Sequence, residues 1–272
     1  MRAVLVMILI AIPSLMLPGV SSDTTQIVAL VAVFAAGLTF FEYVSVYPGL
    51  VEFRDAPPFN RLRYLSLLAT VLLISTIVRG QTQPTTLTLF IEALGTKLGQ
   101  AIDVPFSPVR LILLMLPENV SDYHYVLVRT AAGISYLISL LTLVIFVLTM
   151  RFIGWPNRMG SFNVWINLPT FDPTTGGDVV DRLTRDSRAN VLLGLLLPFV
   201  IPVVMKVASI SFSPVTLESP HTLIWTMTAW AFLPASLFMR GIAMGRIAKM
   251  IANKRRTLAP ADAAEGAEYQ PA

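Results

Sequence analysis

Six apolar segments, each close to the length of a bilayer crossing, dominate this sequence and leave little room for any other fold. About 20 largely apolar residues cross the hydrocarbon core as a helix, with roughly 17 as the lower limit. The runs at 3–20, 27–47, 62–78, 125–150, 191–212 and 223–244 meet that requirement. Backbone in lipid must satisfy its own N–H and C=O groups, so such runs form helices. The sequence therefore predicts an all-α, polytopic membrane helical bundle of about six transmembrane helices. An amphipathic or re-entrant outer loop fills 79–124, a cytoplasmic loop fills 151–190, and a disordered tail follows at 254–272. Only 13% of residues are charged, against about 25% in ordinary globular chains.

The third run is short, but Arg61 and Arg63 at one end and Arg79 at the other can snorkel to the two interfaces. Cytoplasmic loops hold the excess of Lys and Arg. With the N-terminus inside, fifteen of the twenty basic residues fall on the inner side, and only Arg79, Lys97, Arg110, Arg129 and Lys206 on the outer. That bias predicts both termini in the cytoplasm and an even number of crossings. It also accounts for the net charge of +4 without nucleic acid, since the basic residues lie in loops and one tail. The first run has a rival reading as a signal peptide, with Arg2, an apolar stretch and the small residues Gly19 to Ser22 as its three regions. Two prolines and its length favour a retained helix, and cleavage would leave five helices with the same C-terminal side.

Between two of the most apolar runs lies LPTFDPTTGGDVVDRLTRDSRAN, Leu168 to Asn190. A phosphate cradle needs converging backbone N–H groups, usually with a lysine or a strand leading in. No lysine follows Gly176 and Gly177, no strand run precedes them, and Asp178 stands where the anion would sit. The expectation is a short interfacial helix capped by Asp178, with Asp178–Arg182 and Asp181–Arg185 pairs along it. Upstream, Trp155, Phe162 and Trp165 suit the headgroup level.

In the outer loop, Leu87, Phe90, Ile91, Leu94, Leu98 and Ala101 recur at steps of three and four, the signature of an amphipathic helix, with Glu92, Thr96, Lys97 and Gln100 off the stripe. PVRLILLMLP follows, with Ser107 as cap and Pro108 as first helical residue. At about ten residues it cannot cross a bilayer. The two elements can cover the bundle as an interfacial lid, dip in as a re-entrant hairpin, or dock a partner.

Ionisable groups within spans mark ion paths, proton relays or counter-ions. Glu42 and Lys206 are the least comfortably placed, whereas Arg129 and Arg240 lie near span ends. Pro198 and Pro202 interrupt the fifth run and Pro234 the sixth. Each missing N–H frees a carbonyl one turn earlier, that of Gly194 among them, a device transporters use to hold ions. Glu118, Asp122 and His124, with Glu218 and His221, place imidazole beside carboxylate on the outer side, the chemistry of a divalent-metal site, although the spacing fits no dense ligand motif. Ala32 with Ala36, Ala131 with Ser135 and Ser139, and Gly241 with Gly245 recur every four residues, so helices can approach closely there. Cysteine is absent, which excludes thiolate chemistry.

No catalytic triad order, metal-protease motif, phosphate loop or dinucleotide fingerprint is present, so no catalytic residue and no cofactor is assigned. The sequence points to a non-enzymatic accessory, scaffold or assembly subunit of a membrane complex, in a bacterial cytoplasmic membrane. Its partners would be the bilayer and another membrane protein or a second copy. The alternative is a small-solute or ion channel or transporter working through the kinked fifth and sixth helices, and a membrane-embedded enzyme is a third reading.

Overall fold

The structure is a computed structural model. It describes residues 1–156, 163–172, 174, 176–211 and 217–268, with residues 57, 165, 210, 211 and 258–268 as backbone only. Among the described residues all regular structure is helical: α1 (Arg2–Met16), α2 (Ser22–Val44), α3 (Pro57–Gly80), α4 (Thr86–Ile102), α5 (Pro108–Met115), α6 (Asp122–Ile153), α7 (Val164–Asn167), α8 (Val179–Ser211) and α9 (Pro220–Glu268). This is a polytopic helical membrane bundle, and α2, α3, α6, α8 and α9 are long and apolar enough to cross a membrane.

The helix ends follow from local chemistry. Ser21, Thr85, Ser107 and Ser121 each accept a backbone N–H from the first turn of the helix they cap. Pro108 occupies the first turn of α5, as expected from its preset φ. Gly154, at φ 67°, takes the left-handed conformation that stops α6.

Three boundaries differ from the sequence expectation. Helix α1 stops at Met16 after 15 residues, a length of about 22 Å that falls short of a hydrocarbon core of about 30 Å. Pro18 is the reason: the residue before a proline is pushed out of the helical region, and Leu17 is extended. The expected short interfacial helix is instead the beginning of α8, which runs 33 residues from Val179 through the fifth apolar run. No Gly or Pro stands between Val179 and Val191 to break it. Helix α9 keeps its helical backbone to Glu268, into the stretch expected to be disordered. That stretch is rich in alanine, the best helix former.

Two apolar clusters fill the bundle. One gathers Leu9 and Ile12 of α1, Val71 and Ile74 of α3, Val109 and Ile112 of α5, Val128 of α6, and Ile224 and Trp230 of α9. The other gathers Phe53, Phe59, Phe146, Trp155, Leu168, Leu183 and Met239. Helices α3, α6, α8 and α9 each contribute their two halves to opposite clusters, so these four spans run alternately up and down. We call the end with Met1 and the α2–α3 connection the terminal end, and the other the α5 end. Small hydroxyl residues of α3 and α6 lie between the clusters. Thr142 and Ser66 hydroxyls meet at 2.9 Å, and Ser139 donates to the Ala231 carbonyl.

The two outer-loop helices form where expected, but α4 docks by the opposite face. Thr88, Gly95 and Gly99 are buried, while Leu87, Phe90 and Leu94 are exposed. Its neighbours are α3 and α6. Helix α5 is packed into the first cluster with five of its eight residues buried. Trp155, expected at the headgroups, is 2% exposed beside Phe53. Phe162 and the Trp165 side chain lie outside the described residues.

Candidate functional site at the terminal end

The densest polar assembly joins four parts of the chain. The Glu52 carboxylate, in the α2–α3 connection, accepts from Arg240 Nε of α9 at 2.7 Å and from the Thr170 hydroxyl at 2.9 Å. The same guanidinium donates to Asn190 Oδ1 of α8 at 3.0 Å and to Thr170 Oγ1 at 3.1 Å. With side chains only 13% and 23% exposed, Glu52 and Arg240 form a desolvated pair whose remaining hydrogen-bonding capacity is largely met. This geometry orders chain.

The connection carrying Glu52 is itself tightly built. Glu42 Oε2, at the end of α2, accepts three consecutive backbone N–H groups, from Gly49 at 3.0 Å, Leu50 at 2.8 Å and Val51 at 3.0 Å. Arg54 closes the same loop by donating to the Ser45 carbonyl. Phe53, fully buried at φ 51°, adopts a left-handed backbone that costs a β-carbon-bearing residue of order 1–3 kcal/mol. Its N–H donates to the Asn167 carbonyl, the Asn167 side chain accepts from Asp55 N, and Asn60 donates to the Glu52 carbonyl. The Asn167 turn and the Glu52 loop thus hold each other.

Arg63 of α3 lies close by. Its guanidinium stacks over Phe59 at 5.4 Å and Phe232 at 5.7 Å, and its Nε is buried without a hydrogen-bond partner among the described residues. Tyr43 and Glu52 are within its electrostatic reach.

The turn ahead of α8 answers the phosphate question. Gly177 is left-handed at φ 96°, and Asp178 accepts the Val180 N–H at 2.6 Å and Arg255 Nη1 of α9 at 2.6 Å. The place an anion would take is filled by the chain's own carboxylate. Arg255 and the Val180 N–H hold Asp178 below the usual carboxylate range. Asp178 is thereby tied to α9, and Arg182 reaches back to the Asp172 carbonyl at 2.7 Å.

The residues singled out for transport do not meet. Glu42 is held by its own loop, and Lys206 is exposed on the far half of α8. Gly194 is wedged against α9, where a β-carbon would come within 2.7 Å of the Phe238 nitrogen and the Pro234 oxygen. Pro202 lacks an N–H for the Pro198 carbonyl, and buried Trp230 Nε1 supplies one at 3.1 Å. Gly241 fits its expected role, since a β-carbon there would lie 2.7 Å from the Ser187 carbonyl oxygen.

At the α5 end a cavity of about 390 Å³ is lined by Asn119, Ser121, Tyr123, His124 and Glu218 beside apolar residues. It brings His124 and Glu218 together, while Glu118, Asp122 and His221 are not in its lining. Among the described residues no three His, Asp or Glu side chains are placed to hold a metal ion.

Sequence reasoning missed a second charged cluster at this end. Asp103, with a side chain 6% exposed, lies 2.8 Å from Arg110 Nε and 3.8 Å from Arg129 Nη1. Beside it, a β-carbon on Gly133 would come 2.5 Å from the Gly99 Cα, so α4 and α6 touch backbone to backbone. The available signal was Asp103 itself, a lone carboxylate between two apolar helices.

No family model, curated protein or solved structure matches this chain.

Proposed function

We propose that this protein is a non-enzymatic accessory, scaffold or assembly subunit of a membrane complex. We place it in a bacterial cytoplasmic membrane with both termini inside. One observation carries the reading: Glu42, Arg240 and the Pro198 carbonyl, three polar groups within or beside the spans, are engaged in holding the chain together. Glu42 is bound by three backbone N–H groups, Arg240 by Glu52, Asn190 and Thr170, and the Pro198 carbonyl by Trp230. Two apolar clusters fill the bundle around them.

The sidedness rests on the sequence alone, in which fifteen of the twenty basic residues fall in segments assigned to the inner side. The short connections and the lack of cysteine support a bacterial source.

The test is a mild-detergent pull-down of tagged protein from its native membrane, sized by native electrophoresis. A stoichiometric companion chain is the expected result. Recovery alone, together with solute flux through proteoliposomes that Glu42→Gln or Lys206→Gln abolishes, would overturn the reading in favour of a channel or transporter.

A further inference from the structure

We propose that Arg63, with Arg2 and Tyr43, forms a seat for a phosphate-bearing anion, supplied by an anionic phospholipid, at the terminal end between α1, α2 and α3. The inference does not depend on the accessory-subunit reading. Stacking on Phe59 and Phe232 covers the guanidinium face but leaves the N–H groups at its edge free to donate. Among the described residues no hydrogen bond takes up that edge, and Nε is both buried and unpartnered. A buried guanidinium in that condition lacks the hydrogen bonds that would compensate its desolvation.

The local charge balance points the same way. Glu52 is the nearby carboxylate, and both of its oxygens are engaged, one by Arg240 and the other by Thr170. Arg63 and Arg240 against Glu52 leave one positive charge without a counter-ion. A second cation stands on the other side of Tyr43: Arg2 of α1 stacks on the Tyr43 ring at 4.2 Å, and Tyr43 is within electrostatic reach of Arg63. Arg63 is six residues into α3, about 9 Å along the helix axis from its start, so a long arginine side chain there can reach toward the interface. Planar guanidinium edges bind phosphate oxygens in pairs, and a juxtamembrane cationic cluster favours anionic over zwitterionic lipid.

The experiment uses the full chain, delipidated in detergent, and counts bound lipid by native mass spectrometry during titration with phosphatidylglycerol, phosphatidylcholine or inorganic phosphate. Wild-type protein is expected to retain phosphatidylglycerol over phosphatidylcholine, with Arg63→Gln reducing that retention about tenfold or more, Arg2→Gln less, and the exposed Arg61→Gln leaving it unchanged. Displacement of the lipid by millimolar inorganic phosphate would overturn the lipid assignment in favour of a free anion. Equal retention by wild type and a folded Arg63→Gln variant, judged by helicity and elution volume, would overturn the site itself. Should Arg63→Gln not fold, Arg63→Lys keeps the charge but not the planar edge. Partial loss is then expected, and undiminished retention overturns the proposal.

Discussion

At each end of the bundle a close glycine crossing stands beside an arginine–carboxylate cluster, but the two clusters bind different kinds of neighbour. At the terminal end, Glu52 and Arg240 are 188 residues apart, and their network also takes in Thr170 and Asn190. At the α5 end, Asp103 joins Arg110 and Arg129, the near residues of one hairpin and the helix that follows it. The first cluster fixes how distant segments dock. The second fixes the turn between α4 and α5, helices that each pack separately against α6. Arg110 also keeps more contact with solvent, at 37% exposed against 23% for Arg240.

The comparison is broken most forcefully at the glycines. Leucine at Gly133 meets the tighter gap, 2.5 Å to the Gly99 Cα, against 2.7 Å from Gly241 to the Ser187 oxygen. Yet α4 is short and peripheral and can tilt away, whereas α8 and α9 are both long and packed along their length. We expect Gly241→Leu to cost about 3 kcal/mol and Gly133→Leu about 1 kcal/mol. Thermal unfolding of both in the same detergent checks the order, and a reversal would mean that α4 is as firmly held as α8.

Charge removal comes next. Glu52→Ala leaves Arg240 largely buried without its carboxylate and is expected to cost about 3 kcal/mol. Limited proteolysis should then cut within residues 45–56. Asp103→Ala is expected to cost about 1–2 kcal/mol, because Arg110 can turn toward water. Equal losses would show that the outer cluster is more than local.

A smaller effect tests the freed carbonyl between the two ends. Trp230→Phe keeps a smaller aromatic ring but removes the N–H from the Pro198 carbonyl and part of the buried indole, and should lower stability by about 1–2 kcal/mol. An unchanged unfolding midpoint would show that the carbonyl finds another donor.

The smallest effect is set by pH at the exposed Asp178–Arg255 tie. Asp178 has a folded pKa below its ordinary value, so the tie contributes above about pH 4, the unfolded pKa, and its contribution is lost as pH falls through the lower folded value. Amide exchange at Val180 to Arg182 should be slower in wild type than in Asp178→Asn at neutral pH, and the difference should vanish at strongly acidic pH. A gap that persists there would assign the protection to the helix rather than to the tie.

The sequence by itself determined that the apolar runs and both outer-loop segments are helices, and that α5 begins behind Ser107 and Pro108, but not where α1, α8 and α9 end or begin. Those signals are local: apolar length, a Ser or Thr cap, a proline at the first turn or just past the last. It also determined the close approach at Gly241, because a missing side chain permits one wherever the helix goes. Only the tertiary structure decided which face of α4 docks, which partner Glu42 takes, and that Glu52 reaches Arg240. In water an apolar stripe marks the buried face of a helix. In a bilayer, lipid tails are as apolar as the core, so hydrophobicity gives no direction and packing of small residues decides. The large side chains of α4 therefore turn outward while Thr88, Gly95 and Gly99 face the protein. Polar partners were hidden for a related reason: an ion pair between residues far apart in the chain leaves no spacing in the sequence, and it forms only after the spans have been laid side by side.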